Sequence, residues 1–584
     1  MQSPRLIRQG FLCGLARLLN CPRRYHVQSS HSDSRIGPNA GCDTWHHTNH
    51  SLTVICPSPQ QTSREELLST LELSLKNPRS GNSQTASLVL LATRSFGPWI
   101  CKESGSFLPD VIRRLYPNDI ADQERTFEYK ILSAIVDRLS LPTPQDHWLY
   151  KTLPTSLAQF QSIAPSVGLE GVAILATSNP DLVSSMSDAP ASHVAMPGPS
   201  PWDKDSRNSG KFFFFTGAGV YGNDTYCSTS LVHKVAVPLA STYMETGRPW
   251  EMQITHVRKP SNSSDLRISS QKDVRLATLD LQRQLDQSCY SALPLVSLSS
   301  HLVPLTVPRK IESNMGNVVR NLSRTRDTHS AAETRVNEPM EESNRLEIMP
   351  ASNELESSLT NYFTTLKIEP RVTSVWAVVM DEESAKSAEL STTEGDLPHL
   401  WGQDVYARDP VDIQKLLDRG AVLHRVVGGG GGWGRTAGLL ALDPISFEAS
   451  RDPQGANTST GFMENDSKIK PGNYIQFFTT TSACESPDCQ RRPSVSGLRP
   501  SDLFSISQVS HVEDSEPDTT TSEPSLDFPR IHVLHNYFGV ASEGPLAKAT
   551  KVPTQEAGDG SWHFSLVDVP GASIRIQGFV RDHE

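Results

Sequence analysis

The residues best suited to chemistry form one block: Gly428, Gly429, Gly430, Gly431, Gly432, Trp433, Gly434, Arg435 and Thr436. Consecutive glycines forfeit more backbone entropy on ordering than any other run of that length, so an ordered loop of this composition must place its backbone where a side chain would obstruct. Close approach to an anionic ligand is one such task, because successive N–H groups can converge on phosphate or carboxylate oxygens. Tight packing of backbone against backbone is the other. Starting at Gly429, GGGGWGRT satisfies the phosphate-loop spacing, with Arg435 at the lysine position and Thr436 at the magnesium-binding hydroxyl. Arginine binds phosphate without reproducing the compact charge of lysine. The helix required after the loop, 436–442, is cut short by Pro444.

Other reactive patterns are thinner. The segment KFFFFT runs into Gly217, Gly219 and Gly222, the spacing of a dinucleotide fingerprint with Glu245 downstream. The next segment, NDTYCSTS, is no apolar helix to hold a pyrophosphate, so a glycine-rich turn accounts for the same letters. His233, His256, His301, His424, His532, His535 and His563 lie in or beside expected strands, where structural histidines are common, and Asp381, Asp443 and Asp568 end apolar segments. Cys42, His46, His47 and His50 match no structural zinc spacing, and no metal site is expected. The signatures of serine hydrolases, zinc proteases and EF-hands are missing, and no cofactor is indicated.

Composition narrows the partners. A formal net charge of -11 argues against general coating of nucleic acid, which needs a positive field over the binding face. No run reaches the roughly eighteen apolar residues of a membrane span. Nine scattered cysteines include no CxxC pair, which argues against a disulfide framework or zinc ribbon. The first 32 residues contain Arg5, Arg8, Arg17, Arg23 and Arg24 and no acidic residue, with Leu6, Phe11, Leu15 and Leu18 able to share one helical face. Residues 1–32 therefore read as a mitochondrial transit peptide, and the location expected is the matrix.

Periodicity and turn residues then divide the chain. Residues 33–62 read as a disordered linker and 63–184 as an α/β unit. That unit contains a helix capped by Ser63 and Glu66 and two apolar strands, LVLLAT and GVAILAT. A linker at 185–210 leads to a strand-rich unit, 211–320, and a charged stretch without period, 321–350, reads as a disordered insertion. Residues 351–481 form a second α/β unit around the glycine loop, in which Gly420 ends a helix and 421–427 is a strand. The Ser/Thr/Pro/Glu-rich stretch 482–528 reads as a second disordered insertion, and 529–584 supplies the last strands, two of them joined across Pro570 and Gly571. The fold class expected is α/β or α+β, with a strand-rich middle.

With LVLLAT, a helix-rich middle and GVAIL, the first unit loosely resembles the N-terminal part of FIST-type ligand-sensing domains, and the resemblance implies a sensory role. It carries no diagnostic motif and assigns no residue. The chain as a whole reads as a noncatalytic accessory, assembly or ligand-sensing protein whose loop recognises a small anionic ligand or a protein partner in mitochondria. The alternative is an enzyme that binds a nucleotide or phosphorylated substrate through 428–436.

Overall fold

Strands with apolar residues at successive positions must bury both faces, and the N-terminal part of the chain supplies several such runs. A computed structural model of the chain describes residues 50–57, 59–74, 84–100, 107–143, 146–163, 166–177, 179–185, 210–216, 232–281, 295–324, 347–389, 393–401, 413–429, 438–443, 469–480, 498–510, 531–552 and 561–581. The architecture is mixed α/β, dominated by strand-rich sheets with few helices. Thr85–Thr93, Phe127–Val136 and Gly171–Thr177 occupy the middle of a seven-stranded sheet, almost wholly buried. The first two run parallel, linked through short helices, and their neighbours in this sheet are antiparallel. Arg267–Asp273 closes one edge with mostly exposed polar and charged side chains, which discourages edge-to-edge pairing with another chain.

One face of this sheet is covered by helices. Arg64–Ser74 begins where Ser63 Oγ accepts the Glu66 N–H at 3.1 Å, the N-cap that the sequence announces. Its Leu67, Leu68 and Leu71 join Val111, Ile112 and Leu115 of Phe107–Leu115 over Leu88, Leu90, Ile131 and Ile174. The opposite face, with Val89, Leu91, Leu132 and Leu175, contributes to a central core shared by all the sheets.

Lys211–Thr216 brings Phe212 and Phe214 into that core from a six-stranded sheet, and a four-stranded sheet brings Phe504 and Phe538. The rings of Phe214, Phe504 and Phe538 lie with centroids 5.9 to 6.4 Å apart, so the two sheets meet through aromatic contacts. The fourth sheet closes on itself. Arg309–Met315, Val318–Arg324, Leu440–Leu442, Val422–Gly429, Val375–Met380 and Tyr474–Thr480 each pair antiparallel with the next, and the last pairs with the first. One face of this ring presents Trp376, Val378 and Phe478 to the central core. The other, with Ala377, Val379 and Phe477, packs with Ala351–Leu366 and Leu397–Trp401 into a core of its own.

Three stretches expected to be unstructured contribute strands. Within 33–62, His50–Ile55 pairs with Gly171–Thr177 on one side and His532–His535 on the other, so Leu52 and Val54 are fully buried. Within 482–528, Leu498–Gln508 pairs with Tyr537–Ser542 and Ser573–Arg581. Within 321–350, Val318–Arg324 continues past its expected end and Glu347–Pro350 pairs with it. For the first two the partners are distant in sequence, so local composition held no sign of them. The strands Ser561–Val567 and Ser573–Arg581 are joined across Pro570 and Gly571 as expected, and that turn passes the chain from one sheet to another. The expected units are therefore interleaved, and the described residues form one compact unit.

The ring is tied to its helix by a buried ion pair. Arg309 donates to Glu354 at 2.6 Å and also pairs with Glu394, and the Arg309 and Glu354 side chains are 8% and 6% exposed. Removing one partner strands a buried charge, so Glu354→Ala should lower unfolding free energy by about 3–5 kcal/mol. Replacing the pair by Arg309→Met with Glu354→Leu should recover most of that loss. Urea unfolding of the two variants against the parent chain measures the difference.

Candidate functional site

The strand Val422–Gly429 is set up by the helix before it. Ile413–Asp418 ends in a Schellman turn: Gly420 at φ +92° donates to Leu417 O and Ala421 N–H donates to Leu416 O, both at 2.9 Å. This is the stop that Gly420 announces in the sequence. The strand then runs out to the glycines, and after a bulge between Val426 and Gly428 it pairs Gly428 with Ala441 and Gly429 with Leu440.

That pairing decides the local topology. Val422–Gly429 and Leu440–Leu442 are antiparallel neighbours, and the rest of the glycine run separates them in sequence. Where the phosphate-loop reading expects a helix through 442, Leu440–Leu442 is a strand. Leu440 and Leu442 are buried while Ala441 is not fully so, a period of two that fits a half-buried strand. A helix continuous from Thr436 through 442, the element that would hold a pyrophosphate, is incompatible with that strand.

Gly428 and Gly429 are exposed, next to Val427 at 59% exposure. A Cβ added to Gly428 would meet open space, and one added to Gly429 would only touch Leu440 Cδ1 at 3.4 Å. Gly438 is a different case, at φ +86° with its imagined Cβ 2.8 Å from Pro350 Cβ. Fold geometry thus requires a glycine at 438 and not at 428. Gly430, Gly431, Gly432, Trp433, Gly434, Arg435 and Thr436 lie outside the described residues, as do Gly217, Gly219 and Gly222.

The histidines of the hairpin strand and its surroundings are buried. His424 Nδ1 is 3.2 Å from Asp443 O and so donates to it, while burial lowers the ring's affinity for a proton. Burial, reinforced by Arg575, pushes His301 down to about 4, partly offset by a hydrogen bond with the Gly571 backbone. A third, His233, belongs to a polar group at one end of the six-stranded sheet. There Asp418 Oδ1 accepts from Lys548 Nζ at 2.7 Å and from Thr550 Oγ1 at 2.9 Å, and Thr550 Oγ1 lies 3.3 Å from His233 Nδ1. The Lys548 side chain is 1% exposed, so this ion pair fastens the helix Ile413–Asp418, and the hairpin strand after it, to the six-stranded sheet.

Sequence reasoning placed His233 among structural histidines and missed Asp418, Lys548 and Thr550. The signal was weak, because Leu546, Lys548 and Thr550 alternate with Ala547 and Ala549 and both faces are buried. A second polar group joins Arg94 to Asp137 and Glu543 at 2.6 and 3.1 Å, with the Asp137 carboxylate also accepting from the Ser542 hydroxyl and the Glu543 N–H. It links the seven-stranded sheet to the strand Tyr537–Ser542. Among the described residues no helix is long and apolar enough to cross a membrane.

Comparison with protein-family models, with curated proteins and with solved structures finds no match to this chain, so the likeness of the first unit to FIST-type domains rests on its own few residues alone.

The buried histidines set a pH dependence. His301 and His233, held near 4 in the folded chain, take up protons near 6.5 once unfolded. Between those values the unfolded chain binds more protons, so their stabilisation is complete above pH 6.5 and is lost as pH falls toward 4. For His301 the loss is on the order of 3 kcal/mol. Urea midpoints measured from pH 7.5 to 4.5 should fall less steeply in His301→Asn than in the parent chain, and parallel slopes would show that His301 does not contribute.

Proposed function

We propose that this chain is a noncatalytic ligand-sensing or assembly protein whose glycine hairpin, 428–436, recognises an anionic group or a partner surface. The supporting observation is that Gly428 and Gly429 are glycine without a packing reason. A crowded crossover would clash with an added Cβ, as Gly438 does, whereas Gly428 faces open space and Gly429 meets an ordinary contact. Two adjacent glycines exposed at the end of a rigid ring of strands suit close approach by an external group. The hairpin setting favours recognition over nucleotide hydrolysis, because the pairing of Leu440–Leu442 leaves little chain in which a phosphate-binding helix could begin. The arginine-rich, acid-free N-terminal segment supports import into the mitochondrial matrix as the place where this happens.

On this reading Gly428→Ala leaves the melting temperature unchanged while weakening binding. Arg435→Ala removes a charge-assisted hydrogen bond worth about 1.5–3 kcal/mol, a loss of roughly ten- to a hundredfold in affinity. Thermal-shift titration with nucleotides, coenzyme A and phosphosugars, combined with affinity measurement on both variants, tests this. If no anion stabilises the parent chain, the anionic-ligand form of the proposal fails.

Localisation has its own test. N-terminal sequencing of the protein recovered from fractionated cells should find residues before about 26 removed and the chain in the matrix. An intact Met1 in a cytosolic pool would overturn the targeting reading.

A further inference from the structure

The helix Ala351–Leu366 divides its surface between two tasks. Leu355 and Tyr362 face the core under the ring of strands, while Glu356, Thr360 and Thr364 stand exposed. Beside the exposed residues, the helix and the chain leaving it border an open groove of about 510 Å³, lined at its base by Leu359 and Phe363. The helix ends in a Schellman turn, in which Ile368 N–H donates to Phe363 O at 3.1 Å and Lys367 N–H to Thr364 O at 3.2 Å. Ile368 is left on the wall of the groove, 39% exposed, and Val372 beyond it is fully exposed. Lys367 takes the left-handed position of the turn, at φ +54°, where glycine is the residue free of strain. A lysine placed there at that cost points to a use for its side chain.

The stripe along the groove repeats at helical spacing and reads the same from both ends. Glu356 and Lys367 close it, Leu359 and Phe363 are its bulky apolar members, and Thr360 and Thr364 are its small ones. Turned end for end about a point between Thr360 and Phe363, the stripe sets Glu356 against Lys367, Leu359 against Thr364 and Thr360 against Phe363. Opposite charges meet at both ends, and each bulky side chain meets a smaller one. That is the self-complementarity a two-fold contact requires. The hydroxyls of Thr360 and Thr364 donate to Glu356 O and Thr360 O within the helix, both at 2.8 Å, so covering them strands no donor.

We propose that this face receives a second copy of the chain, with the two helices Ala351–Leu366 lying antiparallel across a two-fold axis. Each Glu356 pairs with a Lys367 across the axis, and the apolar members of the two stripes cover one another between these pairs. A contact of one helix on another is small beside the roughly 1,200–2,000 Å² of a stable interface, so the dimer is reversible and forms at micromolar concentration. It does not depend on what the glycine run binds.

Sedimentation velocity of the full chain, from low micromolar to near-millimolar concentration, should show a reversible monomer–dimer equilibrium that weakens with added salt. Glu356→Lys and Lys367→Glu change exposed side chains, and each should weaken association roughly tenfold because it sets like charges together at two places. An equimolar mixture of these two variants should recover the association as a heterodimer, since every contact at the stripe ends then joins opposite charges. Lys367→Gly should leave the melting temperature unchanged or higher while weakening association, a combination that a purely structural lysine would not give. A chain that stays monomeric throughout overturns the proposal, as it would if the groove took a lipid chain or a different protein instead. So does a dimer indifferent to both charge reversals, which would lie on another face, and so does a mixture that associates no more tightly than either variant alone.

Discussion

A buried hydroxyl reinforces the pairing of an early strand with the late part of this fold. Thr53 Oγ1 donates to Tyr537 O at 2.8 Å and accepts from Gly539 N–H at 3.0 Å, across more than 480 residues of chain. The strand that carries it, His50–Ile55, lies between one strand from residue 171 onward and another from residue 532 onward. The central core depends on this closure, because Val89, Phe214, Trp376, Phe504 and Ile574 come from four sheets and bury one another. The face that each sheet turns to this central core is buried only by the others. Stability is then a property of the whole assembly of strands, and few substructures can bury enough surface to stand alone.

What could be read from the sequence depends on the range of the interactions involved. Local signals were reliable: Ser63 caps its helix, Gly420 ends another, and Leu88 to Thr93 and Gly171 to Thr177 are buried strands because nearly all their residues are apolar. Non-local ones were not. His50–Ile55 and Leu498–Gln508 are ordinary in composition and become strands only because distant partners lie on both sides. The glycine run shows the same limit. Its apolar neighbours after Thr436 fit two turns of helix or a short strand equally well by composition, and it is the pairing of Leu440 and Ala441 with Val319 and Val318 that decides. Asp418, Lys548 and Thr550 could not be grouped at all from sequence, since a helix end and a strand 130 residues later meet only in three dimensions.

Charge inside this molecule works as fastening. Arg309 with Glu354 and Glu394, Arg94 with Asp137 and Glu543, and Lys548 with Asp418 each join elements from different layers. Buried pairs add little stability over apolar substitutes, but a mispaired buried charge costs several kcal/mol. Their effect is to penalise any arrangement in which a helix or sheet docks in a wrong place. In a chain with many strands and several possible registers, that penalty selects one packing.

The position of His50–Ile55 also bears on the order in which the chain can acquire its shape. A ribosome delivers this strand long before its second neighbour, His532–His535. Throughout the interval the strand has an unpaired side, and the apolar faces meant for the central core await sheets that have not yet been made. Such a chain is exposed to aggregation for most of its synthesis and benefits from chaperones that bind extended apolar segments.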